Sequence, residues 1–281
     1  MASFKEMKKN RMANLESLSK QVEKLAEKPS YEDERIWKLE RDKTGNGYAV
    51  IRFLPAKEGE DVPWVRIWTH GFKGPGGWYI ENSLTTIGKD DPVSKANTAL
   101  WNSGVDSDKN IARERRRKLS YYSNIYIVED SLNPQNEGKV FLFRYGKKIF
   151  EKITGVMNPE FADETPLNPF DFWEGANFKM KMRQVEGFPN YDKSEFTDVV
   201  PLSEDEKKME DIWSQQYSLN EIIEEKNFKN YAELEARFNT VIAHKGDEFV
   251  GNIEESTSEP VAPTEKTDDT LDYFKKLAEQ D

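Results

Sequence analysis

The sequence predicts a mainly β domain with added helices, a small barrel or sandwich with an arm before it and a tail after it. Three observations predict this. Across residues 37–200, apolar and polar residues alternate over short runs separated by Gly, Asn and Pro. On both sides of that region the apolar residues shift to helical spacing. Beyond residue 245 the composition is Glu, Asp, Ser, Thr and Pro, with few residues able to form a core.

Taken in order, residues 3–28 read as a helix. Ser3 and Glu6 have capping-box spacing, Leu15, Leu18, Val22 and Leu25 share one face, and Pro29 stops the run. Strands follow in "YAVIRFLP" (48–55), "WVRIWTHGF" (64–72), "YYSNIYIVED" (121–130), "GKVFLFRYG" (138–146) and "NFKMKMRQVEGF" (177–188), with one more after the turn in "KGPGGWYIEN" (73–82). Trp64, Arg66 and Trp68 fall on one face of the second strand. Residues 83–112 show little periodicity and read as an insertion between strands. Residues 203–244 return to helix, with cap-like pairs Ser203/Glu206, Ser218/Glu221 and Asn230/Glu233. The expected organisation is a basic helical arm (1–30), a core (31–245) and an acidic disordered tail (246–281).

Charge is distributed unevenly along this chain of net charge −11. The arm carries Lys5, Lys8, Lys9 and Arg11, and residues 246–281 hold eleven carboxylates against three lysines. Within the core, five cations occupy the six positions 113–118, and "RRRKLSYY" (115–122) runs directly into two tyrosines. Two more segments interleave the same residue types. "KVFLFRYGKKIFEK" (139–152) sets Phe141, Phe143 and Tyr145 among Lys139, Arg144, Lys147 and Lys148. "KMKMRQVEGFPNY" (179–191) puts Lys179, Lys181 and Arg183 on one strand face with Phe188 and Tyr191 beyond. Cations attract backbone phosphates through charge and counterion release, and exposed aromatic rings stack on unpaired bases. The plainer reading is a set of solvated basic loops beside core aromatics. Adjacent strand residues point to opposite faces, which leaves open whether both Tyr121 and Tyr122 can serve DNA or one of them is core.

Several chemistries are excluded or unsupported. The chain has no cysteine, which removes disulfides, thiolate zinc sites, iron–sulfur clusters and cysteine nucleophiles. Two histidines, His70 and His244, give no Ser-His-Asp set, and no phosphate-loop motif is present. No apolar run is long enough to span a membrane, and the N-terminal stretch lacks the apolar core of a secretory signal. The expectation is a protein that is not an enzyme.

The run "RRRKLSYYSNIYIVEDSLNPQNEGKVFLFRYGKKIFEKI" (115–153) resembles the T-even-type bacteriophage single-stranded DNA-binding, or helix-destabilising, protein family. "GNGYAVIRFLP" (45–55), "HGFKGPGGWYIE" (70–81), "WEGANFKMKMRQVEGFPNYDKSEF" (173–196) and "FKNYAELEARF" (228–238) extend the likeness over most of residues 37–240. The resemblance implies an OB-fold core, a five-stranded Greek-key barrel, with an insertion subdomain (83–112) and flanking helices. It implies cooperative binding of single-stranded DNA without sequence preference, in phage replication, recombination and repair, in the cytoplasm of the infected bacterial host. By position, Tyr121, Tyr122, Phe143, Phe188 and Tyr191 would line the DNA groove. Arg52, Arg115, Arg116, Arg117, Lys118, Arg144, Lys147 and Lys148 would supply phosphate-contacting charge. The arm's Lys5, Lys8, Lys9 and Arg11 would carry self-association along DNA, and the acidic tail would contact replication and recombination proteins.

Two departures stand out. The family's structural zinc uses one histidine and three cysteines; here His70 holds the histidine position and Ser83 the first cysteine position, so the zinc site is expected to be lost. The insertion would then rest on packing, with Trp78, Leu100 and Trp101 as candidates. The arm also lacks the hydroxyl residues that follow the family's cations. Two other readings are an RNA-binding protein of the same fold and a replication-complex adaptor.

Overall fold

The computed structural model describes residues 33–243. The predicted arm helix with Lys5, Lys8, Lys9 and Arg11, and the acidic tail, lie outside the described residues. The chain divides into two compact units, Met1–Trp37 and Lys38–Asp281. In the first, the Asp33 carboxylate accepts from the Arg35 guanidinium and amide just before a two-residue strand, β1 (Ile36–Trp37).

The second unit carries β2 (Gly47–Phe53), β3 (Val65–Gly74), β4 (Gly77–Asn82), β5 (Lys118–Asp130), β6 (Val140–Tyr145), β7 (Ala176–Val185), β8 (Phe188–Asn190) and β9 (Glu195–Val199). Its strands run in the order β6-β5-β2-β7-β8, while β3 pairs with β4 and β5, and β9 pairs with β7. Every pairing is antiparallel. The sheet is open, which corrects the expectation of a closed Greek-key barrel. The reason lies in β5, a strand of 13 residues. It gives positions 118–122 to β3, 121–126 to β6 and 125–130 to β2. The sheet therefore branches at β5, and no described pair joins β6 or β4 to the far side at β7–β9. Residues 120–127 of β5 are buried on both faces, as befits a central strand.

Among the described residues five helices accompany the sheet: α1 (Pro92–Asn102), α2 (Asp106–Glu114), α3 (Lys147–Met157), α4 (Glu206–Ser214) and α5 (Tyr231–Ile242). The first two, with a 3₁₀ turn at Leu84–Ile87, occupy the insertion that lacks periodicity in sequence. A cap starts α1: the Asp91 carboxylate accepts from the Ser94 amide at 2.8 Å, with Pro92 at the first helical position. The Asn230/Glu233 capping box is present at α5. At α4 the cap is Asp205, two residues beyond the expected Ser203, because Asp205 accepts from the Lys207 and Lys208 amides. Ser218/Glu221 precedes only a 3₁₀ turn, Asn220–Ile223.

Three apolar groupings hold the unit. Phe53, fully buried, has the rings of Phe143, Tyr145, Phe170, Phe178 and Phe196 around it, the nearest at 5.6 Å. Leu54, Tyr126, Val140 and Phe172 pack under Met209 and Ile212 of α4. Phe72, Tyr79, Leu84 and Val93 pack against Phe228, Leu234, Phe238 and Val241, joining the β3–β4 hairpin, the insertion and α5. Gly76 is obligatory there. Its amide donates to the Val241 carbonyl at 2.9 Å, and a Cβ would lie 2.0 Å from the Thr240 oxygen. The aromatic pair expected to hold the insertion does not: Trp78 is 58% exposed and Trp101 50%.

Candidate nucleic-acid interface

Five of the sequence-selected residues point inward. Arg52 is fully buried, and its Nη2 donates to the carbonyls of Asp171 (2.8 Å) and Val200 (2.9 Å). Burial pushes its guanidinium down to about 10, against the raising effect of Asp171. It ties β2 to the segments flanking β7 and has no path to a phosphate. Arg115 is also buried, with its guanidinium over the rings of Phe72 (5.6 Å) and Phe238 (5.5 Å). Burial lowers its pKa, and Glu114 works against that. Tyr121 stacks on Phe150 of α3 at 3.9 Å and 9°, and lies 5.7 Å from Tyr145. Phe143 is core beside Tyr145. Tyr122 faces the other side of β5, buried, with the Arg144 guanidinium 6.0 Å from its ring. In this conformation neither tyrosine presents an open face to a base.

The exposed cations gather elsewhere. Arg116, Arg117, Lys118 and Arg144 all reach solvent. Arg117 lies over the Trp68 ring at 4.3 Å, and its Nη1 donates to Thr85 Oγ1 at 2.7 Å. Arg113 lies over the Trp101 ring at 5.4 Å. Arg113, Arg116 and Arg117 line a pocket of about 650 Å³ together with His70, Ser94, Asn97, Thr98 and Trp101. No carboxylate lines it. Three guanidinium groups, an exposed indole and amide and hydroxyl donors can hold a phosphate and stack a base. Sequence reasoning noted Arg113 and assigned Trp68 only a strand face and Trp101 a packing role. The available signal was the interleaving of cation and aromatic in "WVRIWTH", the same signal used for the other segments.

A second basic group surrounds the start of α3. Lys147 and Lys148 occupy its first turn, which has no acidic residue and no side-chain cap. Two cations on the positive end of a helix dipole are unfavourable until an anion joins them. Lys147 pairs with Glu151 at 3.2 Å, and Lys148 with Asp192 at 3.2 Å. The Lys148–Asp192 pair brings the segment after β8 to α3. Tyr191 there is half-buried, and burial raises its phenol while Arg41 lowers it. Phe188, at the tip of the β7–β8 hairpin, is 74% exposed. On β7, Lys181 pairs with Glu195 at 2.7 Å across to β9. The two basic groups lie along connected strands: exposed Arg66 sits opposite Tyr121, whose ring rests on α3.

The family model described as gp32 DNA binding protein like matches residues 45–242. The chain belongs to this gp32-like family. It is 38% identical over 263 residues to the single-stranded DNA-binding protein of Enterobacteria phage T2, covering 92% of this chain and 85% of the relative. The single-stranded DNA-binding protein of Enterobacteria phage T4 is 38% identical over 248 residues, covering 87% of this chain and 80% of the relative. That of Enterobacteria phage RB70 is 41% identical over 108 residues, which is 37% of this chain. The site residues from Arg52 to Tyr191 lie inside the gp32-like match.

The zinc that the gp32-like resemblance implies does not fit this chain's donors. No cysteine exists anywhere in it. Among the described residues no group of three or more His, Cys, Asp or Glu side chains is placed to hold a metal. His70 is surrounded by the Arg115 carbonyl, one Asp91 oxygen and the Ser94 hydroxyl.

Proposed function

We propose that the protein binds single-stranded DNA without sequence preference and without catalysis, and that it acts in phage DNA replication, recombination and repair. The observation that carries the reading is the carboxylate-free pocket with three arginines and an exposed indole. The printed names of the T2 and T4 relatives support it. Phosphates would track from Arg113, Arg116, Arg117 and Lys118 past Arg66 to Lys147 and Lys148, with Arg144 on the opposite face of β5 beside Tyr122. Bases would stack on Trp101, Trp68 and Phe188, with Tyr191 beside the track. Arg52, Arg115, Tyr121, Tyr122 and Phe143 support this surface from beneath. Because a ligand stabilises the state it binds, preference for single strands draws a duplex toward melting.

The arm cations Lys5, Lys8, Lys9 and Arg11 would serve self-association along the strand. The tail would contact phage replication and recombination proteins, in the cytoplasm of the infected host. No helix among the described residues is long and apolar enough to cross a membrane. With DNA absent, the tail's carboxylates would compete for the basic surface. Deleting residues 246–281 should then raise single-strand affinity at low salt; unchanged affinity and unchanged salt dependence exclude that competition.

The deciding experiment is a salt titration of fluorescence quenching on poly-dT, with poly-rU as the competing arm. Each phosphate contact contributes roughly 0.7 to the log–log slope. A flat response to salt overturns the reading, and preference for poly-rU redirects it to RNA.

A further inference from the structure

We propose that His70, Ser83, Asp91 and Ser94 form a metal-free lock in place of a zinc knot, and that the lock positions the basic run ahead of β5. His70, Ser83 and Asp91 are almost completely buried, at 1%, 0% and 2% exposure. They come from three elements: β3, the turn after β4, and the cap of α1. The Arg115 carbonyl can only accept, so His70 Nδ1 donates to it, at 2.9 Å. The other ring nitrogen, Nε2, lies 3.2 Å from Asp91 Oδ1 and 3.3 Å from Ser94 Oγ. Asp91 Oδ1 also accepts from the Ser94 amide at 2.8 Å, and Oδ2 accepts from the Leu84 amide at 3.2 Å. One carboxylate thus joins the strand, the turn and the helix. Asn97 adds a second donor to the Arg115 carbonyl, at 3.0 Å.

The lock reaches the surface through hydroxyls. Thr85 Oγ1 lies 3.0 Å from the buried Ser83 Oγ, and either hydroxyl can donate. Arg117 Nη1 donates to Thr85 Oγ1 at 2.7 Å while its guanidinium lies over Trp68. The contacts Arg117–Thr85–Ser83 lead from the surface to the turn whose Leu84 amide Asp91 holds. They fix the side chain of Arg117, and the His70 bond fixes the backbone of Arg115 two residues earlier. His70, Asp91 and Thr85 are therefore positioning residues. His70 and Ser94 lie in the lining of the arginine pocket, whereas the Asp91 carboxylate does not.

The positioning half of this inference rests on the single-stranded DNA reading; the metal-free half does not. The test uses the full chain. Thermal melting is followed with and without a zinc chelator, and with added zinc. Poly-dT binding is then titrated with salt for the wild type, Asp91→Ser, Thr85→Val and Thr85→Ser. The wild-type melting temperature should ignore chelator and zinc. Asp91→Ser keeps one capping oxygen but loses the second bridge, and should melt lower by about 5 °C or more. Thr85→Val should fold normally yet shallow the salt slope by about 0.7, one phosphate contact, with Thr85→Ser restoring it. A melting temperature that falls with chelator, or an Asp91→Ser variant that melts like wild type, overturns the lock. A wild-type slope in Thr85→Val overturns the positioning role. Wild-type protein that shows no salt-dependent binding at all defeats the DNA reading, while the melting results still judge the lock.

Discussion

Arg52 and Arg117 both lie among aromatic residues in the sequence, but solvent separates their roles. Arg52 is sealed under β2 with two carbonyl partners, whereas Arg117 lies over Trp68 at the surface. Replacing Arg52 with Met leaves two buried carbonyls without donors, at about 1–3 kcal/mol each. Urea denaturation should show that loss, and the salt slope of the folded protein on poly-dT should stay as in wild type. Arg116→Ala should do the reverse, with stability within about 0.5 kcal/mol and a slope shallower by roughly 0.7. Trp101→Ala should cost single-strand affinity by about 1–3 kcal/mol if one base stacks there. Asp91 gives a pH prediction. Burial pushes its carboxyl up, but the hydrogen bonds it accepts, chiefly from His70 and the Ser94 amide, hold it at about 2 against 3.8 when unfolded. A depressed folded value means its contribution is complete above 3.8 and is lost as pH falls through about 2. The urea midpoint should decline across that window, and Asp91→Asn should flatten the decline.

At the level of elements, period-two alternation made the strands legible, and each expected strand formed within a few residues of its place. Helices were legible where a stripe or cap stood alone, as at Asn230/Glu233. They were hidden in the insertion, because α1 depends on the Asp91 cap and buries only Pro92 and Val93 within its own length. The helix α3 was hidden for another reason: its buried Ile149 and Ile153 directly follow a strand of the same composition. The glycine-rich turn between β3 and β4 shows how an element can depend on a distant one. Glutamate 81 on β4 holds Lys229 (2.6 Å) and Arg237 (2.8 Å), and Gly76 meets the last turn of α5 backbone to backbone. Gly76→Ala should force the hairpin off that turn and cost about 1–3 kcal/mol, read by urea denaturation. Binding of the tail or arm is not needed for that effect.

For the whole molecule, charge was the most legible property and closure the least. Cations announce themselves in sequence whichever way the chain folds, so the exposed members of the 113–118 run and of the 147–148 pair were found. Whether Tyr121 is open or covered depends on where α3 settles, and no residue near Tyr121 records that. In the same way, alternation shows that β5 is a strand without showing that three partners share its length, which is why the sheet opens where a barrel was expected. The insertion's polar knot has a further consequence, in chemistry rather than stability. A zinc–thiolate knot fails when an oxidant or a mercurial takes its sulfurs. Here the same junction is made from an imidazole, a carboxylate and two hydroxyls, in a chain with no thiol at all. Diamide or a mercurial, at doses that empty a thiolate site, should leave single-strand affinity where it was.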